Sequence, residues 1–150
     1  MKKIRAEDTV VHGAVVPLKK EDSVKFYQAE YSELSSVRPD FINAWSTLCK
    51  KDVRVNPFVR VPALDINELI NEEQVNHNIS ILSIDVEGID FDILQSLNFE
   101  KFSFDLIVVE HSDSLIPNNS NLISSFLKGH NYFLIHQGVI NLIFVRKNNE

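Results

Sequence analysis

Two pairs of ionisable residues stand at the ends of apolar runs. The stretch "SILSIDVEGID" carries Asp85 and Glu87 ahead of Gly88, and "FDLIVVEH" carries Glu110 and His111. A carboxylate beside a hydrophobic strand costs desolvation energy. Its presence points to chemistry: taking a proton from a hydroxyl, offsetting a positive charge, or holding a hard cation. A lone acid in such a place can simply serve the orphan amides of a following helix. Two runs that both end in acid, one of them as Asp-x-Glu-Gly, favour the chemical reading. A magnesium or manganese site from Asp85, Glu87, Glu110 and His111 suits the ligand types, but no spacing requires it, so no metal is expected. The other histidines, His12, His77, His130 and His136, are dispersed and read as packing or surface residues. No Ser–His–Asp elbow, Walker loop or zinc motif is present.

These residues need elements to position them. "ISILSIDV" (79–86) is apolar with only small serines between, which predicts a strand covered on both faces. Gly88 makes a turn, and Asp90 and Asp92 then meet the positive end of a helix whose buried face is Ile89, Ile93, Leu94 and Leu97. "FDLIVVE" (104–110) is the next buried strand. A helix between two strands makes them parallel, so Asp85, Glu87, Glu110 and His111 gather on one crest, beyond the carboxyl ends where ligands of open α/β sheets bind. Upstream, "LDINELINEE" predicts a helix with Asp65 as N-cap and Glu68 three residues on. Downstream, "SNLISSFLKG" predicts a helix capped by Ser120 and stopped at Gly129, and "YFLIHQGVINLIFVRK" predicts a hairpin turning at Gln137 and Gly138.

The N-terminal half is less regular. "TVVHGAVV" (9–16) and "SVKFYQAE" (23–30) predict two strands, paired with each other. Residues 31–52 form an irregular excursion with a short helix around 41–48, its Tyr31, Phe41 and Trp45 acting as hydrophobic anchors; a loop this long suits a lid or binding role. "VRVNPFVRVPA" is extended and ends at Pro62. The order from Asp65 onward predicts an α/β fold, a parallel sheet with an antiparallel C-terminal hairpin, in one domain spanning 1–150.

The chain has 150 residues, a net charge of -6 and 44% hydrophobic residues, enough for one ordinary core. The acidic balance argues against nucleic-acid binding. No run is long enough to span a bilayer. The first residues, "MKKIRAEDTV", lack the apolar core of a signal peptide. The single Cys49 forms no internal disulfide, and a cytoplasmic location is expected. Four glycines, Gly13, Gly88, Gly129 and Gly138, are too scattered to cradle a phosphate or a cofactor.

The segments "VRVPALDINELINEE", "ISILSIDVEGIDFDILQSL", "FDLIVVE", "LISSFLKGHNYFLI" and "INLIFVRK" resemble the FkbM family of S-adenosylmethionine-dependent methyltransferases. The family's Leu-Asp-x-x-Leu-like helix, Ile-Asp-x-Glu-Gly strand end, following helix and Val-Val-Glu strand correspond to 64–69, 84–88, 93–97 and 108–110. The match runs in register from about residue 53 to the C-terminus; 9–30 fits the preceding strand region more loosely. The family carries a glycine-rich cofactor loop earlier in its domain, and none is found here. The chain therefore reads as the C-terminal two-thirds of an incomplete Rossmann-like, class I methyltransferase sheet, truncated at its N-terminus.

The resemblance implies S-adenosylmethionine as cofactor and O-methylation of a hydroxyl on a sugar or natural-product acceptor. Asp85, then Glu87, would be the catalytic carboxylates. Glu110 and His111 would orient the acceptor. Cofactor-binding residues are unassigned, and this chain alone is expected to bind the cofactor weakly. The missing neighbour would leave strand 79–86 with an exposed edge, inviting self-association or a partner chain. The alternative is a degenerate, noncatalytic α/β remnant that serves as an interaction module.

Overall fold

The computed structural model describes residues 9–70, 80–111 and 119–147. The histidine at position 77, residue 79 and the far end of the helix anticipated after Asp65 lie outside the described residues.

Two sheets are formed. The first runs β1 (Ala14–Val16), β3 (Val59–Asp65), β2 (Ser23–Phe26); the second runs β4 (Ile81–Ile84), β5 (Leu106–Glu110), β7 (Asn141–Arg146), β6 (Tyr132–Gln137). β4 and β5 are parallel, joined through α3 (Asp90–Ser96), and β5, β7 and β6 are successively antiparallel. The α/β pattern and the C-terminal hairpin read from the sequence are present. The hairpin loop is Gly138 to Ile140, and β6 carries a register shift at Ile135.

Three expectations are corrected. β1 and β2 do not pair with each other: β3 lies between them, parallel to β1 and antiparallel to β2. β3 does not end at Pro62 but continues to Asp65. Pro62 is tolerated because it sits where the β2 ladder ends, at Ser23, and the β1 ladder begins only at Ala63, so its missing N–H breaks no central pairing. β4 is not covered on both faces. Ile84 is buried at 4% but Ile81 is 59% exposed: Ile81 and Ser83 point to an open face, and Leu82 and Ile84 to the covered one.

The main core lies between the second sheet and its helices. Ile107, Val109, Leu142 and Phe144 from the strands meet Ile93 and Leu94 of α3 and Ile123 and Leu127 of α4 (Asn119–Gly129). Each such side chain, fully buried, contributes roughly 1.5–3 kcal/mol. Among the described residues α4 already includes Asn119, so Ser120 lies within the helix rather than capping it. It also includes Gly129. The left-handed residue that turns the chain into β6 is Asn131, at φ 66°, rather than the glycine; asparagine tolerates that region better than most.

A smaller core of Ala29, Leu34, Ile42 and Val53, with Trp45 against it, organises the segment anticipated as irregular. It contains a 3-10 turn (Ser32–Leu34) and α1 (Pro39–Cys49). Pro39 starts α1, where its fixed φ helps and its missing N–H costs nothing. Phe41 and Trp45 are anchors as anticipated; Tyr31 is 42% exposed. Helix α2 (Ile66–Leu69) is capped by Asp65, which accepts from the Asn67 N–H at 2.8 Å. Glu68 does not close a capping box but pairs with Lys19 at 3.2 Å. Asn67 ties α2 to the end of α3 through the Ser96 carbonyl at 2.9 Å and the Asn98 N–H at 2.8 Å.

Candidate functional site

The chain leaves β4 at Ile84 and turns back into α3 within five residues, and this turn builds the site. Glu87 adopts φ 53° and Gly88 φ 97°. A side chain is disfavoured at both, and strain of this kind costs on the order of 1–3 kcal/mol. Three contacts hold the turn. Asp90 accepts from the Val86 N–H at 2.9 Å and the Gly88 N–H at 3.2 Å. The Ser36 hydroxyl donates to the Glu87 carbonyl at 2.6 Å. Phe41 packs so closely that a Cβ on Gly88 would lie 2.6 Å from its ring.

Beyond the turn lies a cavity of about 440 Å³. One wall is Gly13 to Val15 of the β1 segment; the opposite wall is Asp85, Val86, Glu87 and Ile89; Phe26 and Val37 add apolar surface. Among the described residues Asp85, Glu87 and Glu33 are its ionisable lining, and no basic side chain lines it. Glu87 is pushed up to about 7, first by burial and then by the negative charges of Asp85, Asp90 and Glu33. Glu110 is pushed up to about 8, again by burial first and then by Glu87, Asp90 and Asp85. One of its carboxyl oxygens is buried without a hydrogen-bond partner among the described residues. Asp90 is raised by burial despite the backbone N–H groups it accepts from.

The four anticipated residues thus divide. Asp85 and Glu87 wall the cavity. Glu110 stands close to Asp85 and Asp90: single oxygens of the three lie within 4.8 Å of one another. A hard divalent cation accepts such a donor set, and shared protons relieve the same crowding. His111 is buried and turned to the hairpin, its Nε2 3.2 Å from the Gly138 carbonyl and its N–H on the Ile140 carbonyl. Neither Glu110 nor His111 lines the cavity. Asp90 is the site residue that the sequence reading treated only as a helix-dipole acid. Its signal was local: an acid two residues after the glycine and four after Val86 can cap both amides of the turn.

Gly13 and Gly88 are closely packed. A Cβ on Gly13 would meet Leu64 at 2.6 Å and the Pro62 carbonyl at 2.8 Å, and Gly88 is packed on Phe41, so both serve internal packing.

The fold and site define an α/β protein with a carboxylate-walled cavity at the strand ends of a partly parallel sheet. The chain belongs to the FkbM methyltransferase family: the model for the methyltransferase FkbM domain matches residues 10–134. No curated protein and no solved structure matches it significantly. No helix among the described residues is long and apolar enough to cross a membrane.

Proposed function

We propose that the chain handles the acceptor of a methyl transfer and acts on a hydroxyl of a sugar or natural-product scaffold. The observation that carries this reading is the cavity walled by Asp85 and Glu87 in a chain of the FkbM family. A hydroxyl lying in that cavity meets a carboxylate able to accept its proton as the oxygen–carbon bond forms. Alignment of acceptor and donor supplies much of the acceleration in such displacements. Asp85 is the first base, and Glu87, held near 7, sets the pH dependence around it. Glu110 keeps the crest partly protonated. S-Adenosylmethionine, when bound, supplies the electrophilic methyl group. The described residues offer that cofactor negative charge for its sulfonium, while Gly13 on the cavity wall is packed against Leu64 and the Pro62 carbonyl. Incubation with methyl-labelled S-adenosylmethionine at millimolar concentration and a panel of glycosides tests the reading. A methylated product, absent with Asp85→Asn, supports it; no product across the panel with the folded chain overturns it.

A second reading has its own observation. Among the described residues β4 pairs only with β5, and Ile81 is 59% exposed; this edge suits a noncatalytic module that pairs with another chain. Transfer activity separates the two readings.

A further inference from the structure

A second cavity, of about 540 Å³, lies on the small sheet next to the acidic one, and Val37 lines both. Their charges are opposite. The first is lined by Glu33, Asp85 and Glu87; the second by Lys20, Lys25 and Arg60, with Glu21 as its only acid among the described residues. In a chain of net charge -6, three cations converging on one hollow are not the background. They are also poorly neutralised. The Arg60 Nη1 donates to the Ser23 hydroxyl at 3.0 Å and lies 3.7 Å from the Glu21 carboxylate. The Lys25 ammonium sits 4.6 Å from the centre of the Phe58 ring. Among the described residues neither Lys20 nor Lys25 has a carboxylate partner. The floor beneath them is apolar: Val16 and Ala63 are buried at 8% and 5%, with Val24 and Val37 beside them. A low-dielectric floor strengthens the pull of the cations on an anion above it, and a guanidinium fork with a nearby hydroxyl suits phosphate or carboxylate oxygens.

We propose that this basic cavity anchors the anionic end, a phosphate or a carboxylate, of the molecule whose hydroxyl reaches the acidic cavity across Val37. This rests on the acceptor reading above and narrows it to anionic hydroxyl compounds. Charge also gives the pair of cavities a direction. The anionic end is repelled from Glu33, Asp85 and Glu87 and drawn to Lys20, Lys25 and Arg60, so the acceptor is held in one orientation by a group remote from the reacting oxygen.

Heteronuclear NMR titration tests this without reading transfer, so its failure leaves the acceptor chemistry standing, and a chain without transfer activity can still pass it. The probes are glucose 6-phosphate, glucuronate and glucose. The expected result is saturable amide shifts along Ser23–Phe26 and at Arg60 with one or both anionic probes and none with glucose. Shifts with glucose 6-phosphate alone assign a phosphate site; shifts with glucuronate alone assign a carboxylate site. The Lys25→Ala/Arg60→Ala variant should weaken binding about tenfold or more, the loss of two charge-assisted hydrogen bonds. Both side chains are exposed, and the unperturbed remainder of the spectrum reports the fold; Lys20→Glu is the second variant and should weaken binding in the same direction. Equal shifts with glucose, no shifts with any probe, or full affinity in the folded variants would overturn the proposal.

Discussion

The Ser36 hydroxyl donates a 2.6 Å hydrogen bond to the carbonyl of Glu87, 51 residues away in the chain. Ser36 is 1% exposed, and its oxygen also receives the Arg38 N–H at 2.9 Å. The segment that reads as irregular is thereby fastened to the strained turn that carries the carboxylates. Ser36→Ala should cost about 1–3 kcal/mol, since it leaves a backbone carbonyl and an amide without their partner. Gly88→Ala should cost at least as much, because φ 97° and the Phe41 ring both oppose a Cβ. Urea unfolding measures both; a Gly88→Ala chain as stable as wild type would mean that the turn is not held by this packing.

Asp85 is exposed, so Asp85→Asn should change stability by less than about 0.5 kcal/mol while removing methyl transfer. A stability loss of several kcal/mol would assign Asp85 to the framework. Glu87→Gln should remove the limb of the pH–rate profile that rises through about 7, the value to which burial and its acidic neighbours push Glu87. A limb that survives in Glu87→Gln belongs to another group.

Glu87 and Glu110 hold their protons more tightly in the folded chain, at about 7 and about 8, than at the ordinary value of 4.5. Their contribution to stability is therefore fully present below about 4.5 and is lost as pH rises through 7 and then 8. Thermal unfolding should show a higher midpoint at pH 5 than at pH 8.5. Glu110→Gln should gain about 1–2 kcal/mol over wild type at pH 8.5, since water reaches part of the carboxyl and screens its cost, and nothing at acid pH. An identical pH dependence in wild type and variant would show that Glu110 ionises freely.

The edge of β4 presents Ile81 to Ile84 with no charge among them. Such an edge recruits other strands, so the chain is expected to self-associate at micromolar concentration, and Ile81→Lys to shift it toward monomer in sedimentation. A clean wild-type monomer with slow amide exchange along Ile81–Ile84 would show that the edge is already covered.

S-Adenosylmethionine should bind this chain weakly by calorimetry, because the space beside Gly13, on the cavity wall, and beside Gly88 is filled by Leu64, the Pro62 carbonyl and Phe41. Low-micromolar affinity would place the main cofactor contacts within this chain.

Much of this was legible in the sequence because it is local. The helix–strand order from Asp65 onward follows from hydrophobic period, and the Asp65 cap and the Gly88 turn follow from side-chain chemistry within a few residues. The Asp-Val-Glu-Gly signature likewise carried the family, which the match over residues 10–134 bears out. What depends on pairing between distant segments was not legible. Nothing in "SVKFYQAE" says that it pairs with residues nearly forty positions away rather than with the strand before it; that choice is made where β3 finds two neighbours at once. The composition of "ISILSIDV" fits a buried strand, yet exposure is set by what packs on each face, and Ile81 and Ser83 lie on an open one. The same holds for the site. The sequence placed Asp85, Glu87, Glu110 and His111 on one crest, but only the tertiary structure turned His111 to the Gly138 carbonyl and brought Asp90 in beside Asp85. It also set the Gly13 segment across from Glu87 to make a cavity. A strand's hydrophobic pattern fixes which residues it can bury, whereas the closure of a cavity depends on non-local contacts whose energies no single segment carries.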